Sequence, residues 1–520
     1  MILGYTAAEV RTAEEPLLAR GVPLMQHAAF ALATRVAAEL TERRGSVRGA
    51  TVVALVGAGS NGGDALHAGA VLARRGVRVV AVCTTDAPHA EGLAALRRAG
   101  GHAVQAVEAE VPAEASEGLE PVWLGDAVAE AYAADVVLDG LLGIGGRGAA
   151  RGTAGLLVGL LADLLDDEAA GATTAGPLVV AVDLPSGIGV DDGTLPDGPV
   201  LPAGLTVTFG AAKPGLLLPP AARLAGRIEV VDLGLTLPER PAVARVQPAD
   251  VAALWPVPGP ADHKYSRGVL GVVAGTPAYP GAAVLTVSAA VLAGVGMVRY
   301  VGPSAVASAV VAARPEVVSG TGRVQAWLLG PGVDPAHPRQ AERLTTALHG
   351  ALAAGLPAVL DAGALALAPR ELTPWCVLTP HAGELAALLR RFGEDVDRAS
   401  VEAEPLRWAG RAHAITGATV LLKGSTTVVV GAGDAVYAQA EAPGWLATAG
   451  SGDVLAGVLG ALLAGRAADV LGDPPVAAAL AAAAALVHGR AAGVAVPDGP
   501  VAALEVARAL PATVAGLLRG

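Results

Sequence analysis

Short runs rich in Val, Leu and Ile recur along the first half of the chain, separated by longer stretches with helical spacing. The runs expected as strands are Thr51–Val56, Arg78–Cys83, Asp135–Leu138, Leu178–Val182, Leu205–Phe209 and Ile228–Val231. Strands alternating with helices predict a parallel sheet covered on both faces. Two helices are expected ahead of the first strand, near Thr6–Arg20 and Pro23–Leu40. From Leu237 to Pro260 six prolines break the periodicity, and this stretch reads as a linker. A second alternating series follows: Gly268–Ala274, Met297–Val301, Ala326–Leu329, Ala358–Asp361, Trp375–Leu378, Val420–Lys423 and Thr427–Val430. The fold expected is α/β, with a Rossmann-like doubly wound domain over residues 1–237, a linker over 238–260 and a second α/β domain over 261–520.

Length supports the division, since 520 residues suffice for two or more domains with their own cores. The net charge of -12, from 36 basic and 48 acidic side chains, comes without a basic block to follow a phosphate backbone, so nucleic acid is not an expected partner. Cys83 and Cys376 are the only cysteines, which excludes a disulfide framework and a thiolate metal cluster. The first residues lack a signal-peptide pattern, and a cytoplasmic protein is expected. A mean hydropathy of +0.53 raises the question of a membrane. Of the three most apolar stretches, Val454–Ala464 and Val476–Val487 fall short of the about 20 residues a span needs. Gly281–Val298 is interrupted by Thr286, Ser288 and three glycines. All three are expected as buried helices.

Candidate chemistry in the first half sits at strand ends. Val56-Gly57-Ala58-Gly59-Ser60-Asn61-Gly62-Gly63-Asp64 follows the first strand, at the edge where doubly wound sheets bind ligands. It is not a dinucleotide fingerprint, because no acidic residue ends the second strand in the ribose-binding place. Asp139-Gly140-Leu141-Leu142-Gly143-Ile144-Gly145-Gly146-Arg147-Gly148 and Asp183-Leu184-Pro185-Ser186-Gly187 converge on the same edge. Asp139 alone reads as a strand-end cap; three glycine-rich strand ends with carboxylates read as a site. Ser60–Asp64, Asp139–Gly148 and Asp183–Gly187, in this order, resemble the NAD(P)H-hydrate epimerase domain, with Ser60 and Ala65 where that family has asparagine and glycine. The resemblance implies that Ser60, Asn61, Gly62, Gly63 and Asp64, with Gly143, Ile144, Gly145, Gly146, Arg147, Gly148 and Ala149, line a hydrated nicotinamide nucleotide. It implies Asp183 at the reacting centre, and Asn61, Asp139 and Ser186 as oxygen ligands of a potassium ion.

In the second half, Ala449-Gly450-Ser451-Gly452-Asp453-Val454-Leu455-Ala456 sets a bendable turn before an aspartate and an apolar run. Such a turn aims backbone N–H groups and a helix N-terminus at a phosphate, with Asp453 placed as a general base. The plainer alternative is a helix cap. His263–Gly268, Ala274–Ala282, Gly330–Gly332, Asp361–Gly363, Thr379–Glu384 and Lys423–Thr427 precede it. Over most of Lys264–Leu463 the series resembles the ADP-dependent NAD(P)H-hydrate dehydratases of the ribokinase-like superfamily, departing at Gly363 and Ala449. The resemblance implies a ribokinase-like second domain in which Lys423, Gly424, Ser425, Thr426, Thr427 and Gly452 hold the adenylate. Ala282, Gly332, His381 and Asp453 would face the damaged nucleotide, and magnesium would clamp charge.

The activity implied for the whole chain is repair of hydrated NADH and NADPH: epimerisation of the R and S forms, then ADP-dependent dehydration of the S form to NAD(P)H, AMP and phosphate. A vitamin or sugar kinase fused to a nucleotide-binding domain is the enzymatic alternative, and a nucleotide sensor the non-enzymatic one. Hydrated NADH or NADPH and ADP are the expected small-molecule partners, and self-association into a homo-oligomer is expected.

Overall fold

The strand Thr51–Val56 shows why its apolar run is continuous. Val52, Ala54 and Val56 belong to one buried cluster, and Val53 and Leu55 to another on the opposite face. Successive side chains of a strand alternate faces, so a strand covered on both sides has no place for polar residues. The computed structural model describes residues 1–108, 119–146, 148–169 and 176–519. It divides into two units, Leu3–Pro241 and Ala242–Gly520, with Met1 and Ile2 grouped with the second.

The first unit carries a parallel sheet in the order Glu120–Trp123, His102–Val107, Arg78–Cys83, Thr51–Val56, Val136–Gly140, Leu178–Val182, Leu205–Phe209, Arg227–Val231. Helices Ala7–Ala19 and Leu24–Arg44 precede it. The third expected strand begins at Val136 and runs on to Gly140, which brings Asp139 inside it. His102–Val107 and Glu120–Trp123 are strands that the apolar pattern does not predict; His102, Gln105 and Glu120 break their runs, as the outer strands of a sheet permit. After Thr51–Val56 the chain works outward through Arg78–Cys83, then returns to lay Val136–Gly140 beside the strand it left. Connections from these two neighbours diverge, and the crevice between them is where an open α/β sheet takes its ligand.

In the second unit the strand order is Val243–Arg245, Ala435–Gln439, Thr427–Gly431, Thr419–Leu422, Cys376–Leu378, Ala358–Leu360, Ala326–Leu329, Val269–Val273, Met297–Tyr300, Val318–Ser319. Thr427–Gly431 runs antiparallel to both of its neighbours, and the other pairs are parallel. The segment expected as a linker differs: it holds the strand Val243–Arg245 and the helix Pro248–Leu254, and Val246, Val251 and Trp255 enter the core of this unit. Pro248 starts the helix, where its missing N–H costs nothing. The prolines punctuate packed structure here and do not free it.

The helix Ser451–Gly465 is buried without a break from Val454 to Ala464. It lies against the helix Pro280–Leu292 so closely that a Cβ on Gly457 would stand 2.4 Å from the Thr286 carbonyl oxygen. Val476–Val487 proves to be part of a longer helix, Val476–Ala495. Alanine's helix propensity carries it past His488, Gly489 and Arg490, where the apolar run stops. Its 20 residues are long and apolar enough to cross a membrane by length and composition, but its most apolar 18-residue window is 83% buried inside the protein. It is a core helix of this unit.

Candidate active sites

Close approach of two strand ends builds the first site. A Cβ on Gly57 would lie 2.0 Å from the Leu141 carbonyl oxygen, so the loops after neighbouring strands touch backbone to backbone. Gly59 precedes the helix Ser60–Arg74, which exposes Ser60 and buries Asn61, Gly62, Gly63 and Asp64 in its first turns. Asn61 Nδ2 donates to the Leu142 carbonyl oxygen at 3.0 Å. Leu142 N donates to Ser186 Oγ at 2.9 Å, and Ser186 Oγ donates to Asp139 Oδ1 at 2.6 Å. Ser186 N donates to Asp139 Oδ2 at 2.8 Å. The three residues expected to hold potassium therefore converge on one short stretch of backbone. Asp139 is 0% exposed and forms no ion pair among the described residues. Burial pushes its carboxyl above the ordinary value despite the opposing hydrogen bonds from Ser186 and Leu141. A buried carboxylate with no ion pair among the described residues, the Ser186 hydroxyl on it and the Leu142 carbonyl oxygen 3.3 Å from that hydroxyl, offers oxygens of the kind a hard cation takes.

Asp183 follows the strand Leu178–Val182 with φ at +68°, a left-handed conformation uncommon for any residue but glycine. Its Oδ1 accepts from Lys213 Nζ, from Thr208 Oγ1 at 3.0 Å and from Phe209 N at 3.2 Å. Among the described residues Oδ2 accepts no hydrogen bond. Lys213 is 1% exposed and also donates to Phe209 O at 2.9 Å. Glu14, from the helix Ala7–Ala19, and Asp64 complete the cluster. Burial, then Asp183 and Glu14, hold the Asp64 carboxyl well above the ordinary value, against Lys213. Its Oδ1 is buried without a hydrogen bond. Sequence reasoning misses Lys213 and Glu14. The signal for Lys213 is its place just beyond the strand Leu205–Phe209, on the same sheet edge.

Of the expected substrate loop, Gly143 packs on Asn61, and Ile144 O accepts from Arg11 Nη2 at 2.7 Å. Gly145 is exposed and Gly146 partly so, while Gly148 and Ala149 border an open cleft of about 880 Å³. Arg147 lies outside the described residues.

The second site gathers at the ends of the central strands of its own sheet. Gly450 has φ at +85°, which turns the chain into the helix Ser451–Gly465 and sets Asp453 in its first turn. Burial, then the charge of Asp361, raise the Asp453 carboxyl to about 7, with Lys423 opposing. Lys423 Nζ is 2.8 Å from Asp361 Oδ1 and 3.7 Å from Glu384 Oε2, and a Cβ on Gly452 would stand 3.5 Å from it. Burial pulls the ammonium down, but Asp361 and Glu384 outweigh it and leave it raised. Thr379 Oγ1 donates to the same Asp361 oxygen at 2.8 Å. The sequence alone assigns Asp361 no role, although it directly follows the strand Ala358–Leu360 and stands two residues before Gly363.

His381 caps the helix Ala382–Arg391: Nδ1 accepts from Gly383 N at 3.1 Å and from Glu384 N at 3.3 Å, and Glu384 Oε2 accepts from His381 N at 2.8 Å. The His381 side chain is exposed, with Nε2 3.6 Å from Glu384 Oε2, and a backbone bridge pairs His381 with Lys423. Ala282 and Gly332 adjoin, since a Cβ on Gly332 would lie 2.5 Å from that of Ala282. A cavity of about 510 Å³ opens beside the Asp453 turn, lined by Lys423, Gly424, Ser425, Thr427, Ser451 and Gly452, with Leu446, Leu455, Ala485 and His488. Thr426 is buried and outside that lining, and Ala282, Gly332, His381 and Asp453 lie outside it as well. No group of three His, Cys, Asp or Glu side chains among the described residues would hold a metal unaided.

Residues 270–511 match the protein family described as NAD(P)H-hydrate dehydratase, and residues 22–215 match the one described as YjeF-related protein N-terminus. A bifunctional NAD(P)H-hydrate repair enzyme of Mycobacterium tuberculosis is 42% identical over 477 residues, covering 88% of this chain and 89% of that one. An NAD(P)H-hydrate epimerase of Clavibacter sepedonicus is 45% identical over 244 residues, covering 46% of this chain and 95% of that one. A crystal structure of an ADP/ATP-dependent NAD(P)H-hydrate dehydratase from Bacillus subtilis, with ATP and magnesium, aligns at 25% identity. It covers 53% of this chain and 99% of that one, with a TM-score of 0.46.

Proposed function

The chain belongs to the family of bifunctional NAD(P)H-hydrate repair enzymes, and from that premise we propose which residues carry each of its two activities. It is an epimerase through its N-terminal domain and a dehydratase through its C-terminal domain. The hydroxyl on a hydrated nicotinamide ring is a poor leaving group, and phosphorylation by ADP converts it into a good one. Asp453 takes the hydroxyl proton, and the oxygen attacks the terminal phosphorus while the bond to the α-phosphate oxygen breaks and AMP departs. Loss of phosphate and of a ring proton then restores the dihydropyridine. The Gly450–Gly452 amides and the Lys423 ammonium offset charge on the transferring group. Lys423, Gly424, Ser425, Thr427 and Gly452 hold the adenylate, and Ala282, Gly332 and His381 face the S form of the hydrated nucleotide. Magnesium comes with the phosphates of ADP as a charge clamp.

The observation that supports this reading is the Asp453 carboxyl raised to about 7 at the end of a glycine-rich turn, with Lys423 against Gly452. The test is recovery of NADH absorbance from chemically hydrated NADH, with and without ADP. ADP should be required, with AMP and phosphate formed in equal amounts. The rate should climb as pH rises through about 7, because only the carboxylate accepts the proton. ADP-independent recovery would overturn the phosphorylation step.

For the epimerase, Asp183 Oδ2 exchanges the proton at the reacting centre while Lys213 fixes Oδ1. Ser60–Asp64 and the 143–149 loop line the nucleotide. Asn61, Asp139 and Ser186 hold potassium, which supplies fixed positive charge beside the substrate. Asp139→Ala is expected to weaken epimerisation and flatten its potassium dependence, read as rate against potassium with sodium holding ionic strength. A wild type indifferent to potassium would remove the ion from the site.

A further inference from the structure

The helix Val476–Ala495 holds one titratable side chain that faces inward, His488, which is 6% exposed among alanines. A buried imidazole destabilises a core unless its nitrogens find partners. Among the described residues its polar partners come from Ser451: Nε2 lies 3.4 Å from Ser451 Oγ, and the Ser451 backbone is its other contact. Ser451 is the residue between Gly450 and Gly452 and opens the helix that carries Asp453. His488, Ser451 and Gly452 line the same cavity, so the ring stands behind the turn expected to meet phosphate.

We propose that His488 is a positioning residue of the dehydratase: it fixes Ser451, and through it the aim of the Gly450–Gly452 amides at the nucleotide phosphates. Resting on the assignment of this cavity to ADP, this role accounts for an imidazole in a helix whose other buried side chains are apolar. A turn with glycine on both sides has no side-chain brace of its own. The Ser451 hydroxyl is a side-chain handle by which the core can hold it. Burial drives the imidazole down to about 4, so the ring stays uncharged at working pH, with one nitrogen to donate and one to accept. It braces the turn without adding a charge that would hold the product AMP.

The test uses the full-length protein and ADP itself. His488→Ala and Ser451→Ala should each raise KM for ADP by about two- to tenfold, the worth of one hydrogen bond. KM for the hydrated nucleotide and the epimerase rate should stay near wild type. The double variant should lose no more than either single one, as expected for two members of one unit. His488→Gln, which returns an amide near the Nε2 position, should recover most of the loss. Equal losses in His488→Gln and His488→Ala, additive losses in the double variant, or an unchanged KM for ADP in Ser451→Ala would each overturn the proposal. Direct ADP binding to the wild type and to Lys423→Ala separates failure of the cavity assignment from failure of the positioning role. If the two proteins bind ADP alike, the cavity assignment has failed. If Lys423→Ala loses ADP while His488→Ala keeps the wild-type KM, the cavity stands and the positioning role alone is refuted.

Discussion

Asp453→Asn is expected to lower ADP-dependent dehydration by about 10²-fold or more while leaving ADP binding close to wild type. The amide matches the carboxylate in shape and keeps a polar group in the first turn of Ser451–Gly465, but it accepts no proton from the substrate hydroxyl. ADP keeps the Gly450–Gly452 amides and Lys423, and it loses a negative neighbour, so any change in its affinity should be a gain. Stability should move the same way. The Asp453 carboxyl is raised to about 7 by burial, then by Asp361, so the folded state holds a proton that the unfolded chain releases at lower pH. Its ionisation therefore costs stability progressively from the ordinary carboxylate range up to about pH 7, and in full above that. The asparagine variant escapes this cost, and its Tm at pH 8 should equal or exceed that of the wild type. Single-turnover rates, an ADP titration and a melting curve decide the matter. Turnover near wild type would remove Asp453 from the chemistry, and loss of ADP binding would make it a phosphate-site residue instead.

Separating the two activities should succeed at one junction and fail at another less than twenty residues on. A chain running from Ala242 to Gly520 should fold and consume one epimer only, stalling until the piece Met1–Pro241 is added. A chain beginning at Ala261 should not fold. It lacks the strand Val243–Arg245, which pairs with Ala435–Gln439, and the buried side chains of Val246, Val251 and Trp255. Each buried side chain of this kind contributes roughly 1.5–3 kcal/mol, against a total stability of about 5–15 kcal/mol for a domain. It also strands Gln439, whose Oε1 accepts from Val246 N at 2.8 Å and whose Nε2 donates to Val246 O at 3.2 Å. The ion pair of the Met1 amino group with Asp250 is lost in both pieces, and as a partly exposed pair it is worth about 1 kcal/mol or less. Melting curves and the epimer left unconsumed are the measurements. A folded Ala261–Gly520 would contradict the packing argument, and complete consumption of both epimers by Ala242–Gly520 unaided would refute the division of labour.

The parts of the fold legible in the sequence are those where a strand is buried on both faces. Thr51–Val56, Arg78–Cys83, Leu178–Val182 and Leu205–Phe209 have the bounds their apolar runs imply. Strands that face water or lie near an edge, such as His102–Val107 and Ala435–Gln439, carry polar residues that hide them. Val243–Arg245 is hidden by prolines, which mark turns in the chain whether or not the next residues pack. The sites divide similarly. Residues inside glycine-rich motifs are readable: Asn61, Asp139 and Ser186, each in its own strand-end motif, do converge, and Lys423 approaches Gly452 in the turn before Asp453. Residues that join from elsewhere are not. Lys213 is 30 residues from Asp183, Asp361 is 62 from Lys423, and His488 is 37 from Ser451. No local pattern announces such partners, because only the packing of separate elements makes them neighbours.

The helix that bears Asp453 has no solvent-facing side between Val454 and Ala464, and Gly457 locks it against its neighbour at backbone distance. Its amides can exchange hydrogen with water only through openings that dismantle the core of the second unit. The position of the base is thus a property of the whole unit and not of a loop that frays first. On heating, dehydration should persist until that unit melts and then vanish with it, with no inactive but folded form in between.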